Sequence, residues 1–315
     1  MDTMERPAAA KWLLPQVLSA AAVALVGIDR YLLHPSGPNP AAAAGAVVLI
    51  LLRELLAVDR IQRHLGTAPI TQDMTLGRLP DPDRPTADDD PRTAWIRTAL
   101  RQTRDRAEQE CRSHRIDRVW ITIGGVEEFD ELDDADTLRW GRRASMTLGF
   151  HWFMPAQRQD LPVVLEHELA HLRRYDNLRD LIADTLLWSA ALAALAVLPL
   201  RAGLVVVAAA TAAAVARRWW AELACDRASA RYAGREASLA HWRRSRAAPR
   251  ARGIRAVWKR TAGLRTHPPD SLRILGLRWV RTGSLGAGVR DTEAGDAESL
   301  VDQPVRARPG RPERS

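Results

Sequence analysis

The sequence predicts a mainly α fold with a small β-sheet, carried on about four membrane-crossing helices. Three patterns predict it. Four apolar stretches are long enough, or nearly so, to enter a bilayer at about 1.5 Å of rise per helical residue. Between the second and third, residues 117–123 have the β-branched and aromatic content of a strand, and residues 138–153 alternate apolar and polar positions. Residues 160–177 return to helical spacing.

The elements follow in chain order. Trp12–Leu33 and Ala41–Val58 flank a Pro/Gly-rich turn, His34–Pro40, and read as an N-terminal membrane hairpin within residues 1–65. A cleaved signal peptide is the alternative for the first stretch. Residues 66–92 are rich in Pro, Asp and Thr and read as a flexible linker. Thr93–Arg115 is charged and helix-permissive, with Trp95, Ile96, Ala99 and Leu100 suited to one packed face. Asp117–Ile123 has the β-branched and aromatic content of a strand, ended by Gly124 and Gly125. An acidic loop over 126–137 precedes one or two strands over Leu138–Phe153.

Asp160 suits a helix N-cap, and Pro162 is tolerated in a first turn. Val164, Leu165, Leu169 and Leu172 give that helix an apolar stripe, and Arg173 and Arg174 suit its C-terminal dipole. Residues 181–216 form a second membrane hairpin, Leu181–Leu200 and Ala202–Ala216, broken at Pro199, Arg201 and Gly203. Its last stretch is short for a full span. Arg217-Arg218-Trp219-Trp220 reads as an interfacial anchor, from which a helix runs to Ala233 and stops at Gly234. Residues 281–315 have few large apolar side chains and read as a disordered tail.

Arginine is scarce in the turns between paired spans and abundant on the other side, at Arg60, Arg63, Arg173, Arg174, Arg217 and Arg218. The positive-inside rule therefore places both termini in the cytoplasm, in a multi-pass cell-membrane protein. The net charge of +8 comes almost wholly from Arg, with Lys only at 11 and 259. No basic stripe interleaved with aromatics and no nucleic-acid module is present, so anionic lipid headgroups are the expected partner, not nucleic acid. Cys111 and Cys225 form no CxxC pair and no evident disulfide framework, which fits a reducing compartment.

The most informative residues are His167-Glu168-Leu169-Ala170-His171. On a helix, His167 and His171 share a face and can grip one zinc ion, with Glu168 beside the water that the metal activates. A zinc site needs a third protein ligand. The position six residues beyond His171, where a third histidine would indicate a metzincin, is Asn177. The other common solution is a Glu on a second helix, and Glu222 is the one Glu between Glu168 and Glu236. Asp226, four residues later, shares its face and can orient a ligand imidazole.

These motifs together resemble the HtpX-like and prenyl-CAAX-type membrane zinc metalloproteases. The resemblance rests on His167–His171 with Asp176 five residues on, on Glu222-Leu223-Ala224-Cys225-Asp226, and on His267-Pro268 with Arg273 six residues after the histidine. The order of membrane segments adds to it. It implies a membrane-embedded zincin-type fold, one zinc per chain held by His167, His171 and Glu222, Glu168 as general base, and Asp226 behind a ligand. It also implies that His267 and Arg273 stabilise the oxyanion or fix acidic side chains. Residues 93–180 would then be the catalytic part carrying the metal helix, completed by 217–280. The implied activity is zinc-dependent hydrolysis of membrane-associated or misfolded polypeptides, with a strand ending at Phe153 as the substrate-pairing edge.

Two departures stand out. The family's Asn-Ala segment before the edge strand has no clear counterpart, its place being taken by Leu138–Ser145. Cys225 stands where the family mostly has Ala, which is similar to the BlaR-type membrane metalloproteases. A sensor protease with one specific partner and a catalytically silent membrane scaffold are the alternative functions.

Overall fold

The structure, a computed structural model, describes residues 10–33, 37–67, 83, 90–124, 135–247, 253, 261 and 263–280. Most of the linker expected at 66–92, most of the acidic loop expected at 126–137, and the tail at 281–315 lie outside the described residues. Eight α-helices and one three-stranded sheet make up the described part. They are α1 (Ala10–Ile28), α2 (Pro40–Thr67), α3 (Pro91–Ser113), β1 (Arg118–Gly124), β2 (Asp136–Trp140), β3 (Arg143–Gly149), α4 (Leu161–Arg174), α5 (Asp176–Val197), α6 (Leu200–Tyr232), α7 (Arg235–Ala247) and α8 (Asp270–Arg278).

Among the described residues three helices, not four, are long and apolar enough to cross a membrane: Pro40–Asp59 of α2, Asp176–Val197 and Leu200–Tyr232. The apolar part of α1, Val17–Ile28, is shorter. The expected run to Leu33 is cut at Asp29, where the helix widens into one π-helical turn, Asp29–Leu33. The Asp29 carboxylate accepts a hydrogen bond from Asn39 Nδ2 at 2.5 Å, and Arg30 Nη2 donates to Leu198 O at 3.0 Å. Polar bonding thus ties the ends of the two hairpins together.

The fourth expected stretch is longer than its sequence suggested. It forms one unbroken 33-residue helix with the segment that carries Glu222 and Asp226, so no joint separates span from ligand. Small residues bring the apolar helices together. Ala22, Val26, Ala43, Ala46, Ile50, Leu192 and Ala196 form one buried cluster across α1, α2 and α5. A Cβ on Gly203 would lie 2.9 Å from Leu195 Cα, so the close approach of α6 to α5 depends on that glycine. Outward-facing Val48, Leu55, Ile182, Leu186, Leu204 and Val205 stay exposed, as lipid-facing side chains do.

A separate core joins α3, the sheet and α4. It includes Ile96, Leu100, Ile123, Met146, Leu148, Phe153, Leu165 and Leu169. The sheet order is β1-β3-β2, with β1 parallel and β2 antiparallel to β3. The alternation read over 138–153 is therefore two strands joined by the Gly141-Arg142 turn, where Gly141 has φ +58°. Residues 150–153 are a 3-10 turn, not strand. The expected pairing edge ending at Phe153 is corrected accordingly: β3 is the central strand, hydrogen-bonded on both sides, and β2 is the edge that lies on α4.

Candidate active site

Helix α4 carries the motif histidines. Pro162 sits in its first turn as expected, but Asp160 makes no side-chain cap. Its carboxylate is drawn away by His241 Nδ1 at 2.9 Å and by Arg244, which fixes the helix start to α7. Burial raises the Asp160 pKa, but Arg244 and His241 outweigh it and hold the group below the ordinary carboxylate value. Burial lowers the His241 pKa despite the same carboxylate.

At the other end, the helix expected to reach Asn177 stops at Tyr175, which adopts the left-handed conformation, φ 57° and ψ 45°. That conformation is costly for a bulky residue. Tyr175 is held there by its hydroxyl, which accepts from Gly141 N at 2.5 Å, and by Arg139 stacked 5.0 Å from its ring centroid. The break redirects the chain so that α5 begins at Asp176, whose Oδ2 lies 3.0 Å from His171 Nδ1.

The two imidazoles and Glu222 converge. His167 Nε2 and His171 Nε2 are 3.2 Å apart. Glu222 Oε2 is 3.5 Å from His167 Nε2, and Oε1 is 3.3 Å from His171 Nε2. Ligands at about 2.0–2.1 Å from a tetrahedral zinc ion lie about 3.3 Å from one another, so all three spacings fit one ion. Behind the ligands, Asp176 faces His171 Nδ1 and Asp226 Oδ1 lies 3.0 Å from His167 Nδ1. Both imidazoles turn Nε2 toward the point where the three ligand atoms converge; Asp176 bonds the opposite nitrogen of His171, and Asp226 lies beside that of His167. Burial disfavours the His167 imidazolium, yet the Asp226 and Glu222 carboxylates outweigh it and push the pKa up to about 10. His171 is likewise raised, with Asp176 the leading carboxylate. The site is built for positive charge.

A third layer comes from α8. Arg273, 4% exposed, donates to Glu222 Oε2 and, at 3.2 Å, to Asp226 Oδ1, while its guanidinium stacks 4.1 Å from the Trp242 ring centroid. Of the two roles expected of it, the geometry favours fixing acidic side chains. His267 Nδ1 lies 3.1 Å from Glu222 Oε2 and 3.4 Å from Arg273 Nη2, on a solvent-facing loop. A polar cleft of about 320 Å³ opens beside the site, lined by His171, Asp176, Asp180, Arg218, Glu222 and Thr266 among others.

Glu168 is buried, and its Oε2 accepts one hydrogen bond from Thr137 Oγ1 of β2 at 3.1 Å. Burial raises its pKa above the ordinary carboxylate value, and the neighbouring histidines only partly oppose this. All seven residues singled out in the sequence, His167, Glu168, His171, Glu222, Asp226, His267 and Arg273, thus gather in one place. His151 lies in the 3-10 turn that follows β3 and stacks on Trp152 with ring centroids 4.3 Å apart. Sequence reasoning missed Thr137, and it gave Asp176 no role. Asp176 had a signal in its fixed distance from His171. Thr137 had none, because its contact spans 31 positions.

Two histidines one turn apart on a helix, a glutamate from a second helix and a buried glutamate between the histidines are the residue types and spacing that could hold one metal ion beside a carboxylate. Residues 152–280 match the model of peptidase family M48, and the resemblance read from the motifs is shown over that segment. The M48 peptidases are zinc metallopeptidases, and the match indicates a peptidase. No curated protein and no solved structure matches the chain.

Proposed function

We propose that this protein is a membrane-embedded zinc endopeptidase that hydrolyses peptide bonds of membrane-associated or misfolded polypeptides. The observation that carries this reading is the convergence of the His167, His171 and Glu222 ligand atoms within 4.8 Å, next to buried Glu168. His167, His171 and Glu222 would hold one zinc ion, which when bound supplies Lewis-acid polarisation of the scissile carbonyl and acidifies water. Glu168 takes a proton from the attacking water and passes it to the leaving amine. Asp176 and Asp226 keep the ligand imidazoles in one tautomer. Arg273 fixes Glu222 and Asp226, and His267, at the mouth of the site, is placed to donate to the oxyanion. An extended substrate segment pairs with β2, whose Thr137 touches Glu168.

The ligand Glu222 lies on a helix long and apolar enough to cross a membrane, and His171 is bound by the first residue of another. The reaction therefore takes place near the bilayer surface. By the positive-inside rule, the Arg-rich side, with Arg173, Arg174, Arg217 and Arg218, supports a cytoplasmic site.

The test uses the full chain in mild detergent with zinc and an unfolded protein substrate. Cleavage by the parent that stops with a chelator, and is absent from Glu168→Gln, is the expected result. A parent that binds one zinc per chain yet cleaves neither this substrate nor membrane proteins would leave the silent scaffold as the better reading.

A further inference from the structure

The outer edge of β2 is open at one residue and closed at the next. The Gly141-Arg142 turn makes Trp140 and Arg143 the closing pair of the hairpin, and backbone bonding alternates along an antiparallel ladder. Asp136, Leu138 and Trp140 therefore turn their N–H and C=O groups toward β3, and Thr137 and Arg139 turn theirs outward. At Arg139 those outward groups are occupied. Arg139 N donates to Asn177 Oδ1 at 3.3 Å, and Asn177 Nδ2 donates to Arg139 O at 2.7 Å. One side-chain amide thus makes the two bonds that a neighbouring strand would make. The Arg139 guanidinium reinforces the arrangement by donating to Leu172 O at 2.9 Å, which pins the strand to α4. Two residues earlier, no group among the described residues bonds to the outward N–H and C=O of Thr137, whose hydroxyl touches Glu168.

We propose that Asn177 is an end-stop on the substrate-pairing edge: an extended polypeptide pairs with β2 at Thr137 and onward toward Ala135, and its pairing ends at Arg139. Resting on the endopeptidase reading, this makes recognition one-sided. Substrate is gripped over several residues on one side of the reacting bond and hardly at all on the other. Asn177 acts through the backbone of Arg139 and is a positioning residue, not a catalytic one.

The test reads binding, so it does not depend on turnover. Fluorescent peptides of one β-branched sequence are lengthened two residues at a time, from either end separately. Each is titrated against the full-length Glu168→Gln protein, loaded with zinc in mild detergent. Affinity is expected to keep rising with extension from one end and to level off with extension from the other. Adding Asn177→Ala frees the Arg139 groups, so the levelled end gains about threefold to tenfold for the next pair of residues. Adding Asn177→Leu keeps the bulk without the amide and leaves the levelled end as it was. Thermal melts check that each variant folds. If Asn177→Ala does not fold, Asn177→Ser, which shortens the side chain and removes the amide that spans Arg139 N and Arg139 O, takes its place and must also lengthen the levelled side. Equal length dependence at both ends in the parent background, an unchanged profile in the variant, or no peptide binding at all would overturn the end-stop. Failure of the endopeptidase reading shows separately, as absent cleavage by the parent chain.

Discussion

Helix α4 buries two glutamates two residues apart, and their surroundings are opposite. On the face toward α3, Glu166 receives Arg106 Nε at 2.5 Å and Nη2 at 3.0 Å. Arg106 also reaches Glu110 at 3.0 Å, Glu110 receives Arg173 at 2.6 Å, and the Tyr232 ring lies under both arginines. On the side toward β2, Glu168 has one hydroxyl and, among the described residues, no arginine. A buried carboxylate matched by guanidinium groups holds elements together. A buried carboxylate left with a hydroxyl and two imidazoles keeps its proton exchangeable, which is what a general base needs.

The comparison can be broken at several points, in decreasing order of effect. Glu168→Gln should lower peptide hydrolysis by about a thousandfold while zinc content, measured by metal analysis, stays at the parent level. Equal losses of activity and metal would put Glu168 among the groups that hold the site together. Glu166→Gln should do the reverse. It leaves Arg106 with Glu110 alone, so unfolding by denaturant should shift by about 2 kcal/mol, with the rate per folded molecule kept. Asp226→Asn should weaken zinc affinity by about tenfold to a hundredfold in a competitive chelator titration, because His167 loses the carboxylate behind it. Tyr232→Leu removes the ring under two arginines and should cost about 1 kcal/mol of stability, with no change in zinc affinity.

The smallest effect concerns pH. The His241 pKa is lowered by burial, so below about pH 6.5 the unfolded chain takes up a proton there that the folded chain resists. Stability from this group is full above that pH and declines as the pH falls toward its depressed folded value. Asp160 is depressed as well, so its contribution is full above its ordinary value and is lost only at lower pH still. His241→Gln should therefore flatten the fall in melting temperature just below about pH 6.5 relative to the parent.

Much of the site was legible because it is written in short spacings. His167 and His171 share a helix face whatever surrounds them, and Glu222 and Asp226 repeat the device on α6. The strands were legible by alternation, but alternation gives the faces of a strand and not its neighbours. That is why β3 was taken for an edge, and why Thr137 and Asn177 stayed silent. Tyr175 gave no warning of a left-handed residue, since its conformation is held by Gly141 and Arg139, which lie more than thirty positions away. Asp160 has a capping residue's identity but found a stronger partner in His241 across 81 positions. On α6, the change from Ala-rich to charged sequence near Arg217 marks a change of surroundings, and the helix passes through it unbroken.

That continuity makes α6 a lever. Over 33 residues it is a rod of about 50 Å, with the apolar layer around one end and Glu222 and Asp226 near the other. A helix in a bilayer thinner or thicker than its apolar length responds by tilting. Tilt at the lipid end becomes displacement at the carboxylate end, where spacings of about 3.3 Å decide whether a metal is held. On the proposed function, acyl-chain length bears on the spacing of the metal-holding side chains through α6 alone, with no domain in between.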